Sequence, residues 1–135
     1  MDLKVESKIG MMNVPEEKIY KFLSDFQNFS MLVPADKIKN WQATEDTCHF
    51  SVDGFGEAGL RIIEKQPNSL IKIAGEESSK FDFTFWIQLK ENISGQTHIK
   101  LTIKADVNPM IKMMVSKPLQ NFVDSLVDQL CKMSF

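Results

Sequence analysis

The sequence is short of several residue types, and each shortage excludes something. Two cysteines, Cys48 and Cys131, build neither a disulfide framework nor a metal-ligand cluster. Lysine and arginine together number 16 against 18 acids, for a net charge of -2. With no basic surplus to neutralise a run of phosphates, nucleic acid is not the expected partner. No apolar run approaches the ~20 residues of a membrane-spanning helix. The opening residues 1–10 alternate polar and apolar, which is not the pattern of a secretory signal, and the chain is read as cytoplasmic with reduced thiols. Tyrosine occurs once and tryptophan twice, against ten phenylalanines and eight methionines. Phenylalanine and methionine supply bulk without strong polar atoms, as a core or the wall of an apolar cavity requires.

The 135 residues make one domain, 1–135, without repeats or linkers. Residues 3–11 alternate, with Leu3, Val5, Ile9 and Met11 on one side, and predict a strand with one buried face. Pro15 followed by Glu16 and Glu17 marks a helix start, and Ile19, Phe22, Leu23 and Phe26 continue at helical spacing. A second short helix is expected over 26–32, capped by Asp25 and followed by Pro34. From 38 to 106 the pattern is a run of six strands. Turn signals fall at 45–46, Asp53-Gly54, 67–69, 75–79 and 92–95. Phe81, Phe83, Phe85, Ile87 and Leu89 share one face of the clearest strand, and Ile99, Leu101, Ile103 and Ala105 share one face of the next. Asn108-Pro109 opens a last helix running to about Met133. Its stripe is Val115, Leu119, Phe122, Val123, Leu126, Val127 and Leu130, and a kink is expected at Pro118. The order is α+β, and only the last helix is long enough to cross the apolar sheet face.

The run Val14-Pro15-Glu16-Glu17-Lys18-Ile19-Tyr20-Lys21-Phe22-Leu23-Ser24-Asp25-Phe26, with Leu32-Val33-Pro34 after it, resembles the opening of the START-related polyketide cyclase/dehydrase proteins. These belong with the coenzyme-Q-binding proteins in the SRPBCC, or Bet v 1-like, superfamily, and the order of elements is similar over essentially the whole chain. The resemblance implies a helix-grip fold: a curved seven-stranded antiparallel sheet wrapped around a long C-terminal helix, with two short helices after the first strand. It also implies a cavity between sheet and helix for a lipid, quinone, polyketide or other apolar molecule. No catalytic residue carries over, and neither a cofactor nor a metal is implied.

On that frame the expected lining is Ile73, Phe83, Phe85, Ile87, Leu101, Ile103, Met114 and Phe122, with Met31 and Trp41 near the entrance. Arg61, the only arginine, lies where the alternation is ambiguous. Turned inward it meets a ligand carboxylate or phosphate; turned outward it is a solvated sheet residue. Glu57 and Glu64 share the ambiguity, and a buried glutamate is a candidate general base. His49 and His98 neighbour the apolar residues Phe50 and Ile99 and are read as solvent-facing. The glycines of Asp53-Gly54-Phe55-Gly56 read as a hairpin, and Asn92-Ile93-Ser94 as a sequon without a secretion signal. Trp86 falls on the polar face of its strand and marks an exposed or contact position. The leading expectation is a carrier of an apolar small molecule, a monomer or weak homodimer. A cyclase or dehydratase using the same cavity, and a protein-interaction module, are the alternatives.

Overall fold

The computed structural model describes residues 2–33, 35–52, 56–76 and 83–133. The strands are β1 (Asp2–Glu6), β2 (Gly10–Met12), β3 (Ile38–Ala43), β4 (Thr47–Val52), β5 (Gly56–Gln66), β6 (Leu70–Gly75), β7 (Phe83–Glu91) and β8 (Thr97–Asp106). Helix α1 covers Glu16–Leu23, a 3-10 helix follows over Phe26–Met31, and α2 covers Pro109–Lys132. All strands join one antiparallel sheet in the order β1-β8-β7-β6-β5-β4-β3, with β2 also paired to β8. Pro34, residues 53–55 of the expected hairpin, Phe81 and most of the turn expected at 75–79 lie outside the described residues.

The first expected strand is broken in two. Glu6 pairs with Thr102 and Gly10 with Ile99, so three residues of the edge face two of β8. That extra residue is a bulge, and a one-residue slip exchanges the faces of a strand. Ser7 holds the bulge: its N–H donates to Leu101 O at 2.8 Å, and Leu101 N–H donates to Ser7 Oγ at 2.9 Å. Leu3 and Val5 therefore point inward, followed by Gly10 and Met12, while Ile9 is 65% exposed and Met11 also faces out. This corrects the single inward face expected over 3–11.

The helix starts follow their local chemistry. Asp25 accepts from Gln27 N–H at 2.9 Å and Asn108 accepts from Ile111 N–H at 2.9 Å, each satisfying an otherwise free donor. Pro15 precedes the first turn of α1 and does not sit within it. A reciprocal pair ties α1 to the end of β7. Glu16 N–H donates to Glu91 Oε1 at 2.9 Å, and Glu91 N–H donates to Glu16 Oε2 at 3.0 Å. Thr97, fully buried, donates to Val14 O at 2.6 Å across the same junction.

The core lies on one face of the sheet. Leu3, Val5, Ile71, Ile73, Phe85, Ile87, Ile99, Leu101 and Ile103 meet Ile19, Leu23, Phe26 and Phe29 from the short helices, and Val123, Leu126, Val127 and Leu130 from α2. Full burial of each large side chain contributes about 1.5–3 kcal/mol before entropy is counted. The long helix does not cover the whole face as expected. It packs chiefly on β1, β2 and β8, while α1 covers β7 and the 3-10 helix covers β3 and β4. Gly10 allows this close seat: a Cβ there would lie 2.5 Å from Val127 Cγ1 and 2.9 Å from Cys131 Sγ.

Candidate functional site

Helix α2 divides into two unlike halves. Every fully buried residue in it falls at 123 or later. From 109 to 122 none is buried, although Ile111, Val115, Leu119 and Phe122 fall at helical spacing and rest half-buried against the core. Met110, Met113 and Met114 are exposed, Met113 by 83%. The helix runs unbroken through Pro118, whose missing N–H leaves the Met114 carbonyl without its usual helical donor. Ser116, one turn after Lys112, donates its hydroxyl to the Lys112 carbonyl.

Toward the other edge of the sheet lies a second half-buried apolar group. Trp41 of β3 stacks on Phe50 of β4, centroids 5.3 Å apart and planes 20° from parallel. Leu60 of β5 and Ala43 of β3 are half-buried near the same core. The Trp41 indole Nε1 is shielded from solvent, yet no acceptor reaches it; among the described residues no other buried side-chain nitrogen or oxygen lacks a partner. A donor left in that state costs about 1–3 kcal/mol, so it is a ready partner for any acceptor entering beside it.

The expected lining residues take three fates. Ile73, Phe85, Ile87, Leu101 and Ile103 are all buried and already packed into the core. Phe83, Trp41 and Phe122 are half-buried and remain available at a margin. Met114 is 60% exposed and lines no enclosed interior; it lies on the face of α2 turned from the sheet-facing stripe, and Met31 is likewise on the outside. Arg61 is corrected to the outer face. It is exposed between the inward Leu60 and Ile62, and pairs with Thr47 and Ala74. Ile63 follows Ile62 outward by the same alternation, and a bulge between Ile62 and Glu64 leaves Glu64 outward too, so the period-two pattern breaks there. Glu57 and Glu64 are also exposed. Phe50 and Leu60 were not in the expected lining, although alternation from Cys48 through Phe50 marks the first of them.

The electrostatics of the interior are sparse. Among the described residues Cys48 is the one buried ionisable group. Burial pushes its thiol up to about 12, Glu76 adds to the rise, and a hydrogen bond with the Leu60 backbone opposes it. His49 faces outward and binds Glu76 Oε2 at 2.7 Å. No three potential metal ligands gather among the described residues. The arrangement can shield an apolar surface from water and offer one indole hydrogen bond. It places no buried carboxylate or imidazole, among those residues, against that surface.

An open antiparallel sheet gripping a long C-terminal helix defines the helix-grip α+β fold of the SRPBCC, or Bet v 1-like, superfamily. Within it the chain belongs to the CoxG family of carbon monoxide dehydrogenase subunits, which matches residues 10–133. No curated protein matches it in sequence. Among solved structures it is similar to XoxI from Bacillus cereus, at 9% identity and a TM-score of 0.74 over 97% of this chain and 93% of that one. A START superfamily protein from Mycobacterium smegmatis is similar at 15% identity and a TM-score of 0.66, over 94% and 98%. The di-domain ARO/CYC protein BexL, from the BE-7585A biosynthetic pathway, is similar at 11% identity and a TM-score of 0.67. There 95% of this chain matches 46% of BexL. These likenesses carry the fold. No helix among the described residues is long and apolar enough to cross a membrane.

Proposed function

We propose that the chain is a cytoplasmic binding protein that holds an apolar small molecule, of lipid, quinone or polyketide-like character, between the inner sheet face and the first half of α2. One observation carries this reading. The first half of α2 has no buried residue, although Ile111, Val115, Leu119 and Phe122 rest half-buried against the core, and toward the other edge of the same sheet Trp41 stacks on Phe50 and holds an unpartnered, shielded N–H. A molecule seated against Ile111, Val115, Leu119 and Phe122 would complete their burial. At ~25 cal/mol per Å², hiding roughly 200 Å² of apolar surface contributes about 5 kcal/mol before ordering costs. On a molecule long enough to reach the Trp41 edge, an oxygen would accept a hydrogen bond from the indole N–H and remove the penalty of an unpaired donor. The family's association with carbon monoxide dehydrogenase supports a role that accompanies an enzyme. The cyclase or dehydratase alternative has lost its candidate groups, because Glu57, Arg61 and Glu64 all face solvent.

Native mass spectrometry of freshly purified protein, followed by organic extraction, tests the reading. A discrete mass above 15.5 kDa, lost on denaturation and much reduced in Leu119→Glu, is the expected result. A bare chain that also leaves Trp41 fluorescence unchanged across a panel of long-chain lipids and quinones would overturn it.

A further inference from the structure

The outer face of the sheet carries a feature that the ligand site does not use. Trp86 of β7 lies between Thr102 of β8 and Lys72 of β6 in register. Lys72 Nζ stands 5.9 Å from its ring centre and Lys104 Nζ 6.0 Å. Lys4 of β1 is directly opposite Lys104, an unfavourable like-charge pairing. Lys100 is opposite Gln88 on the same face. On this face Glu6 makes ion pairs with Lys4 at 3.4 Å and with Lys100. Glu64, across from Lys72, hydrogen-bonds Gln66 at 2.6 Å. Lys72 and Lys104 make no ion pair within the described residues, and Trp86 is half-buried between them.

Two depressions open on this face and share Lys4 and Lys104, so they form one trough. The smaller, about 210 Å³, has Trp86, Lys100 and the acid Glu6 in its wall. The larger, about 540 Å³, ends on Gly75, Phe83 and Ala105, with Asp2 and Asp106 at its rim. From Lys100 to Asp106 the trough follows β8 for roughly 20 Å at ~3.3 Å per residue, the length of about six extended residues.

We propose that this trough is a docking surface for an extended acidic segment of a partner protein. Its carboxylates would meet Lys104 in the trough and Lys72 beside it, an apolar side chain would cover Trp86, and the parts of the segment near Glu6, Asp2 and Asp106 would carry no acid. The chain as a whole is negative at -2, so the basic face is local and sets the orientation of approach. An aromatic ring flanked by cations is the kind of residue on which interface energy concentrates. The surface lies on the opposite side of the sheet from the ligand site, and its test is independent of that proposal.

The probe is a fluorescein-labelled peptide of alternating Glu and Leu, followed by anisotropy with the full chain, beside a Lys-Leu peptide and vesicles of phosphatidylglycerol. Saturable binding of the acidic peptide that weakens with salt is expected. Trp86→Ala and the pair Lys72→Gln/Lys104→Gln should each lose about tenfold in affinity. The Gln pair keeps a polar side chain of similar bulk and removes the charge, so it reads the surface even where Trp86→Ala unsettles the fold. Absence of acidic-peptide binding, equal binding of the basic peptide, an unchanged affinity in the Gln pair, or binding to vesicles alone would overturn the proposal.

Discussion

Gly10→Ala should loosen the contact on which the anchored half of α2 rests. The added methyl would sit 2.5 Å from Val127 Cγ1, 2.9 Å from Cys131 Sγ and 3.2 Å from Ile99 Cγ2. Carbon atoms prefer about 3.5–4.0 Å, so roughly 1 Å must be found by moving the helix or forcing side chains off their rotamers. Val127 and Ile99 are fully enclosed and cannot swing aside. Overpacking of this kind costs about 1–3 kcal/mol. Alanine also restricts the unfolded chain, which offsets about 0.4–1 kcal/mol. The expected net loss is therefore about 1–2 kcal/mol, read as a lower urea midpoint by circular dichroism and by tryptophan fluorescence. A double-mutant cycle isolates the cause. Val127→Ala alone destabilises by opening a hole, but in the pair the two changes partly fill each other. Their combined loss should fall short of the sum by about 0.5 kcal/mol or more. A neutral Gly10→Ala, or a strictly additive pair, would refute the account of the seat.

Four further outcomes are expected. Thr97→Val keeps the shape but removes the 2.6 Å bond to the Val14 carbonyl, and should cost about 1–3 kcal/mol by thermal unfolding; an unchanged Tm would show that carbonyl to be satisfied otherwise. Asn108→Ala removes the cap on Ile111 N–H and should cost about 0.5–2 kcal/mol, with a loss of helical signal before global unfolding. Cys48 is raised in the fold from 9.0 to about 12, so the native state resists losing this proton. Its contribution is fully present below pH 9 and is lost as pH rises from there through about 12, so Cys48→Ala should flatten the alkaline fall in stability. Native protein should also expose one thiol to alkylation, Cys131, and unfolded protein two.

The sequence made legible whatever repeats or whatever caps. Alternation in Phe83–Leu89 and Ile99–Ile103 gave those inner faces correctly, and Asp25 and Asn108 marked their helices. The slip at Ser7 escaped, because a hydroxyl standing in for a backbone partner leaves no periodic trace. The outward run of Ile63 and Glu64 after the inward Ile62 depends on a bulge set by pairing with β6, which no local pattern encodes, and it obscured the plain alternation that turns Arg61 out. Helix length showed that α2 can reach across the sheet, but not where it comes to rest. That was decided at Gly10, a position whose importance lies in an absent side chain.

The division of α2 has a consequence for how the molecule opens. Residues 123–130 are built into the cooperative core, while 109–122 hold few buried contacts of their own. Amide protons along this single helix should therefore exchange at graded rates, fast before Val123 and slow from there on, although all belong to one continuous rod. Such a helix behaves as a lever with a fixed fulcrum. Its free arm lifts at a cost set by local contacts, and the core beneath need not come apart. Opening and global stability are thereby uncoupled, so a sequence change that hardens the core should leave the exchange rates of the amides before Val123 where they were.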